Sequence, residues 1–285
     1  MNRKKWRVSV FSELIMLVGT AFLVAACAGT TARPAQPPTA QLAPTAPVAE
    51  TNLITVVADN WCPYNCDPGS EYPGYVIELA TEIFQKAGYR LKYENVPWSR
   101  AVRGVEEGIY DGAVGAALGD IPGAIFPEEE VGSLLNCMFV RKGETWRYTD
   151  LDSLKNIRLG VIGDYYYTDE INAYINASQN SPQVDIIRGA NAVERNLKKL
   201  LDQKIDVYLE DLSVVYYTAA QAGLDKDEFE ISGTIDEPQA IYIAFSPKDP
   251  ESEKWAQILS QGIKESRENG RLAEILRRYG LKDWK

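Results

Sequence analysis

Leu53-Ile54-Thr55-Val56-Val57-Ala58 is a compact β-branched run, and after it Val76, Ala80, Ile83, Phe84 and Ala87 recur at helical spacing up to a stop at Gly88. The pattern predicts a strand and then a helix. Arg90 to Asn95 alternates as a strand, Trp98 to Glu107 suits a helix after Pro97, and Gly112 to Ala117 is a small-residue buried strand. Leu134 to Val140 adds an apolar strand. The pattern then restarts with strand Arg158 to Ile162, helix Thr168 to Ala177, strand Val184 to Arg188 and a helix carrying Val193, Leu197, Leu200 and Leu201. Strand Val207 to Glu210, helix Leu212 to Ala222, short strands near Phe229 to Ser232 and Ala240 to Phe245, and helices Ser252 to Glu268 and Arg271 to Tyr279 complete it. Alternation of this kind predicts two α/β lobes with mostly parallel sheets, and ligands in such sheets sit beyond the carboxyl ends of the strands.

Working outward, the N-terminal region is of another character. Arg3, Lys4, Lys5 and Arg7 precede the apolar run Leu14 to Val24, which suits a signal peptide and is short for a membrane span. The run ends in Val24-Ala25-Ala26-Cys27, which resembles the bacterial lipobox, so residues 1–26 are expected to be a cleaved leader and Cys27 the site of lipidation. The rest of 27–52 is rich in Pro, Ala and Thr, a semi-extended tether that cannot build a core. Cleavage takes four basic groups and Glu13 from a net charge of -10, leaving -13. That balance argues against nucleic acid as a partner. The sequence contains no histidine, which removes Ser-His and Cys-His catalysis and imidazole zinc sites.

Several stretches, in order, carry a family resemblance: Asp59-Asn60-Trp61-Cys62-Pro63-Tyr64, Gly74-Tyr75-Val76-Ile77-Glu78-Leu79, Val96-Pro97-Trp98, Gly108-Ile109-Tyr110-Asp111-Gly112, Ile205 to Asp211 and Asn269 to Leu276. Together they resemble the family 3, amino-acid-type solute-binding proteins of ABC transporters. The resemblance implies a type 2 periplasmic-binding-protein clamp with two hinge crossings, near Arg141 to Glu144 and Asp236 to Gln239. Lobe 1 would then be 53–140 plus 240–285, and lobe 2 141–239. It also implies a monomeric, non-catalytic receptor on the outer face of a cell membrane, held there by lipid on Cys27, that passes a small solute to an ABC permease without a cofactor. An exported enzyme similar to cyclohexadienyl dehydratases, with Glu210 or Asp211 as its acid, and a ligand-sensing receptor are the alternatives.

By the same resemblance Trp61, Trp98 and Tyr64 would stack on the ligand, unless they pack in the core. Asp211 would hold a ligand ammonium beside Glu210, although an Asp before Leu212 equally suits a helix N-cap. Asp59, Ala116, Tyr165 and Tyr166 are also placed at the cleft. Amino-acid binders carry a Thr and an Arg that clamp an α-carboxylate, but here the sequence reads Leu118-Gly119-Asp120-Ile121-Pro122-Gly123-Ala124. In the second lobe Gly163-Asp164-Tyr165 replaces their Gly-Thr helix start, setting a carboxylate where an anion would bind. Arg100 is a candidate substitute cation or a plain surface residue. The expected solute therefore bears an amine and is not acidic. Cys62 and Cys66 could close a disulfide around Pro63-Tyr64, or Cys137 could pair across the fold, or the thiols could stay free and buried; of the three, one is left unpaired or links outward, and a metal site is not expected. For the anchor, Cys27→Ser should shift the protein from the membrane fraction to the soluble or unprocessed pool; mass spectrometry finding an unmodified Cys27 inside an intact leader would contradict it.

Overall fold

Residues 52–189 and 191–285 are described by the structure, a computed structural model. The leader, Cys27 and its lipidation, and all but the end of the linker lie outside the described residues. β1 (Leu53–Ala58), α1 (Tyr75–Lys86), β2 (Arg90–Asn95), α2 (Trp98–Glu107) and β3 (Gly112–Ala116) follow one another as the periodicity predicts. β1 lies between β2 and β3, parallel to both. Its Ile54 and Val56 face the apolar side of α1, while Val57 meets Ala101 and Val105 of α2. Burial on both faces is why this strand reads as a continuous apolar run.

β4 (Gly132–Leu134) and β5 (Asn136–Arg141) come next, then β6 (Leu159–Ile162), α3 (Asp169–Ser178), β7 (Val184–Ile187), α4 (Ala192–Leu201), β8 (Val207–Asp211), α5 (Leu212–Gln221) and β9 (Phe229–Thr234). The chain returns through β10 (Gln239–Phe245) and ends in α6 (Ser252–Glu268) and α7 (Arg271–Arg278). Two five-stranded sheets result, ordered β2-β1-β3-β10-β4 and β7-β6-β8-β5-β9. In each, the three strands with helical crossovers are parallel, and the two strands at the lobe crossings join antiparallel. The sheets are accordingly mixed, and the architecture is the two-lobed periplasmic-binding-protein fold.

The first crossing falls at Leu135, not at Arg141 to Glu144. β5 pairs with β8 and β9 and so belongs wholly to the second sheet, which moves the boundary expected at 140 back to 135. Residues 134–140 look like one strand because both sides of the crossing are apolar. The break occurs because Leu135 leaves the ladder: its N–H donates to Asp211 Oδ2 (2.8 Å), and its carbonyl accepts from Leu212 N (3.0 Å). The return crossing occupies residues 235–238 beside it. Leu134 is in register with Gln239, Cys137 with Thr234, and Ile235 N donates to Asn136 O at 3.2 Å.

α6 and α7 cover the α1 side of the first sheet, with Leu259, Ile263, Leu272, Ile275 and Leu276 buried there. Gly262 lets α6 approach α1 closely: a Cβ at this position would lie 2.4 Å from the side chain of Ile83. Gly262→Ala should therefore lower stability by about 1–3 kcal/mol through overpacking, although Ala is the better helix former by about 1 kcal/mol. Combined with Ile83→Ala, which removes the γ carbons that the new Cβ would meet, the total loss in denaturant titrations should be smaller than the sum of the two single losses; additive losses would show that the two residues do not press on each other.

Candidate functional site

The carboxyl ends of β1, β3, β6 and β8 converge on a cleft between the sheets, a cavity of ≈ 130 Å³. Asp59, Trp61, Asn65, Trp98, Gly115, Leu118 and Asp120 line it from the first lobe; Asn136, Tyr165, Tyr166, Tyr167 and Glu210 line it from the second.

After β1 the chain turns through residues 59–66. Cys62 and Cys66 are disulfide-bonded with their Cα atoms 4.9 Å apart, and Trp61 N and Asn65 N each donate to the other residue's carbonyl. Trp61 stacks on Tyr64 with ring centroids 4.3 Å apart. Its ring also lies over Gly115, where φ is +86° and a Cβ would come within 3.3 Å of the indole. Trp61 Nε1 crosses the cleft to donate to Glu210 Oε1 (3.3 Å), and Tyr165 crosses from the other side to donate to Asp59 Oδ2 (2.8 Å). Two hydrogen bonds thus tie the lobes directly across the cleft.

Glu210 is fully buried. Oε1 also accepts from Asp211 N (2.9 Å), and Oε2 from the Tyr208 hydroxyl (3.0 Å). Burial outweighs these donors and pushes its carboxyl up to about 7, with the Asp211 charge acting in the same direction. Burial likewise raises Asp59, against the hydrogen bond from Tyr165, and Asp120, against the donation from Ala117 N. Three carboxyl groups therefore face one cavity. Among the described residues that line it, none is lysine or arginine.

The structure brings Asp59, Trp61, Trp98, Tyr165, Tyr166 and Glu210 together and leaves three expected residues out. Asp211 is buried and serves as the α5 N-cap: Oδ1 accepts from Ser213 N and Val214 N at 2.9 and 3.0 Å, and Oδ2 takes Leu135 N. Its carboxylate is committed to the chain and lies outside the cleft lining. Tyr64 lies buried beneath Trp61, its hydroxyl 2.8 Å from Ser133 O and 3.2 Å from Asp211 Oδ1. Ala116 points to the α2 side of the sheet with Ala113, Ala101 and Val105, because the β3–β10 register skips Gly115 (φ +86°), a bulge that resets the alternation and leaves Gly115 and Ala117 at the cleft.

Asp164 is also displaced from its expected place, since Thr168 caps α3 and Asp164 pairs with Arg188 at 3.3 Å on the surface. Arg100 is exposed and lines a separate groove with Arg103 and Glu107. Cys137 is a buried free thiol, and burial pushes it up to about 12. Asn65, Leu118, Asn136 and Gln239 were not expected. Among the described residues there is no group of three His, Cys, Asp or Glu placed to hold a metal, and no helix long and apolar enough to cross a membrane.

Residues 53–118 match the family of bacterial extracellular solute-binding proteins, family 3. No curated protein sequence matches the chain. Several solved structures share its fold. One, from glutathione import via GshT and the cystine ABC importer TcyBC of Streptococcus mutans, is 16% identical with TM-score 0.65 over 81% of this chain and 96% of that one. Another is the ancestral amino-acid-binding protein AncCDT-1, a precursor of cyclohexadienyl dehydratase, at 15% identity and TM-score 0.60 over 80% and 96%. A histidine kinase sensor domain is similar at 17% and 0.62 over 81% and 98%.

Glu210 also sets a pH dependence. Its folded value lies above the unfolded one, so its contribution to stability is full below about pH 4.5 and is lost as pH rises toward 7, about 3 kcal/mol in all. Asp211, raised by burial to about 6, loses its contribution earlier. Glu210→Gln keeps an acceptor for Trp61 and Asp211 N, so the variant should be more stable than the parent at pH 8. It should also lack the decline between pH 6 and 7 in thermal unfolding; an unchanged slope would contradict the assignment.

Proposed function

We propose, starting from the family 3 solute-binding match of residues 53–118 and the two-lobed fold of the described chain, that this protein is an exported solute receptor. It captures a small amine-bearing solute between its lobes and delivers it to a membrane ABC permease, anchored by lipid on Cys27. The observation that carries this reading is the cleft itself: carboxyl groups of Asp59, Asp120 and Glu210 among the rings of Trp61, Trp98 and three tyrosines, with no cationic side chain among the described residues that line it. A protonated amine over an indole face gains about 0.5–2 kcal/mol, and a carboxylate partner adds a charge-assisted hydrogen bond. An acidic solute meets only like charge.

The geometry of the crossings supports lobe closure. The two crossings lie side by side, so a small rotation about them opens the cleft and breaks the Trp61–Glu210 and Asp59–Tyr165 bonds between its walls. A solute that bridges these walls stabilises the closed state by its differential affinity.

One observation favours a second reading. A buried acid raised to about 7, as Glu210 is, suits general acid catalysis, and an exported enzyme on this fold would use it so. Recovery of solute unchanged after prolonged incubation separates receptor from enzyme.

Because a cation must displace the Glu210 proton, amine affinity should rise about fivefold from pH 6 to 7, about twofold more by pH 8, and then level off. Solution scattering should show a smaller radius of gyration with bound amine. Preferential binding of glutamate, or an identical scattering profile with a saturating, verified ligand, would contradict the proposal.

A further inference from the structure

Asn65 is inaccessible to solvent, lines the cleft and belongs to the disulfide-closed turn. Its Nδ2 donates to Asp59 O at 2.5 Å and lies 3.1 Å from the Tyr93 hydroxyl. A carbonyl only accepts, so the Asp59 contact fixes which end of the amide is which. The other end, Oδ1, has no hydrogen-bond partner among the described residues. It lies toward Gly115, where a Cβ would be 3.8 Å away. A buried acceptor with no donor is costly, and a fold retains one where something else supplies the hydrogen.

Rings and carboxylates alone suit any organic cation, including a fully substituted ammonium. Asn65 distinguishes between them. We infer that the solute donates an N–H to Asn65 Oδ1, so the cleft takes ammonium ions that retain at least one N–H and rejects quaternary ones. The inference rests on the amine reading above and narrows it. The physical basis is that a site built to hydrogen-bond a group discriminates strongly against an analogue lacking it, because the buried partner is then left unpaired.

Calorimetry at pH 8 with butylamine, N,N-dimethylbutylamine and butyltrimethylammonium tests this on the unaltered protein. All three are cations there, and only the last has no N–H. Affinity should fall at least about tenfold on adding the third methyl, and by less on adding the first two. Asn65→Ala, checked for folding by thermal unfolding, should sharply reduce that final step; a step that persists undiminished in the folded variant would assign it to bulk or to a carboxyl partner instead of Asn65 and overturn the inference. If the variant does not fold, the series on the parent protein decides. Butyltrimethylammonium binding as tightly as the dimethyl amine would overturn the inference and leave the amine receptor standing. Failure of all three to bind, with glutamate binding instead, would remove the amine reading as well.

Discussion

The buried carboxylate of Asp211 holds together the place where the lobes meet. It caps α5 through Ser213 and Val214, takes the N–H that Leu135 frees by leaving the sheet, and sits 3.2 Å from the Tyr64 hydroxyl of the first lobe. The end of β8, the start of α5 and the crossing strand are thereby fixed to one another. Glu210 and Asn136 face the cleft from this junction, since Asn136 is in register with Asp211 and Glu210 is the preceding residue, its Oε1 accepting from Asp211 N. The two adjacent acids divide the work: one satisfies the backbone, and the other stands at the cleft.

Above that junction the cleft is held in a costly state. Glu210 and Asp59 are raised by burial, and Asn65 Oδ1 has no partner among the described residues. Such features lower stability, and they are retained where a ligand relieves them. A cation that donates hydrogens relieves all three together, by supplying charge to the carboxyl groups and an N–H to the amide. The disulfide and the Trp61–Tyr64 stack keep the 59–66 turn in the shape that presents these groups.

The βα units were legible because local periodicity decides them; β1, β2 and α2 have the limits that pattern alone predicts. The crossing at Leu135 was not legible, since an apolar run is the same whether it stays in one sheet or passes to another. For Asp211 the sequence held both the cap and the ligand reading, and only the tertiary position of Leu135 and Tyr64 selects the cap. Trp61 and Trp98 were placed by motif, whereas Ala116 failed because a bulge at Gly115 breaks the alternation that the sequence implies and turns Ala116 to the α2 side. Asn65 gave no pattern signal, as an Asn before a Cys reads as an ordinary turn residue. Its enclosure between Cys62 and Cys66 was the available hint that the turn held something in place.

The most direct measurement is to isolate the protein from its native host, denature it, and identify the released solute by mass spectrometry. The account predicts a small compound with a protonated, N–H-bearing amine and no net negative charge. A dicarboxylate, a neutral sugar or a quaternary ammonium recovered in stoichiometric amount would contradict it.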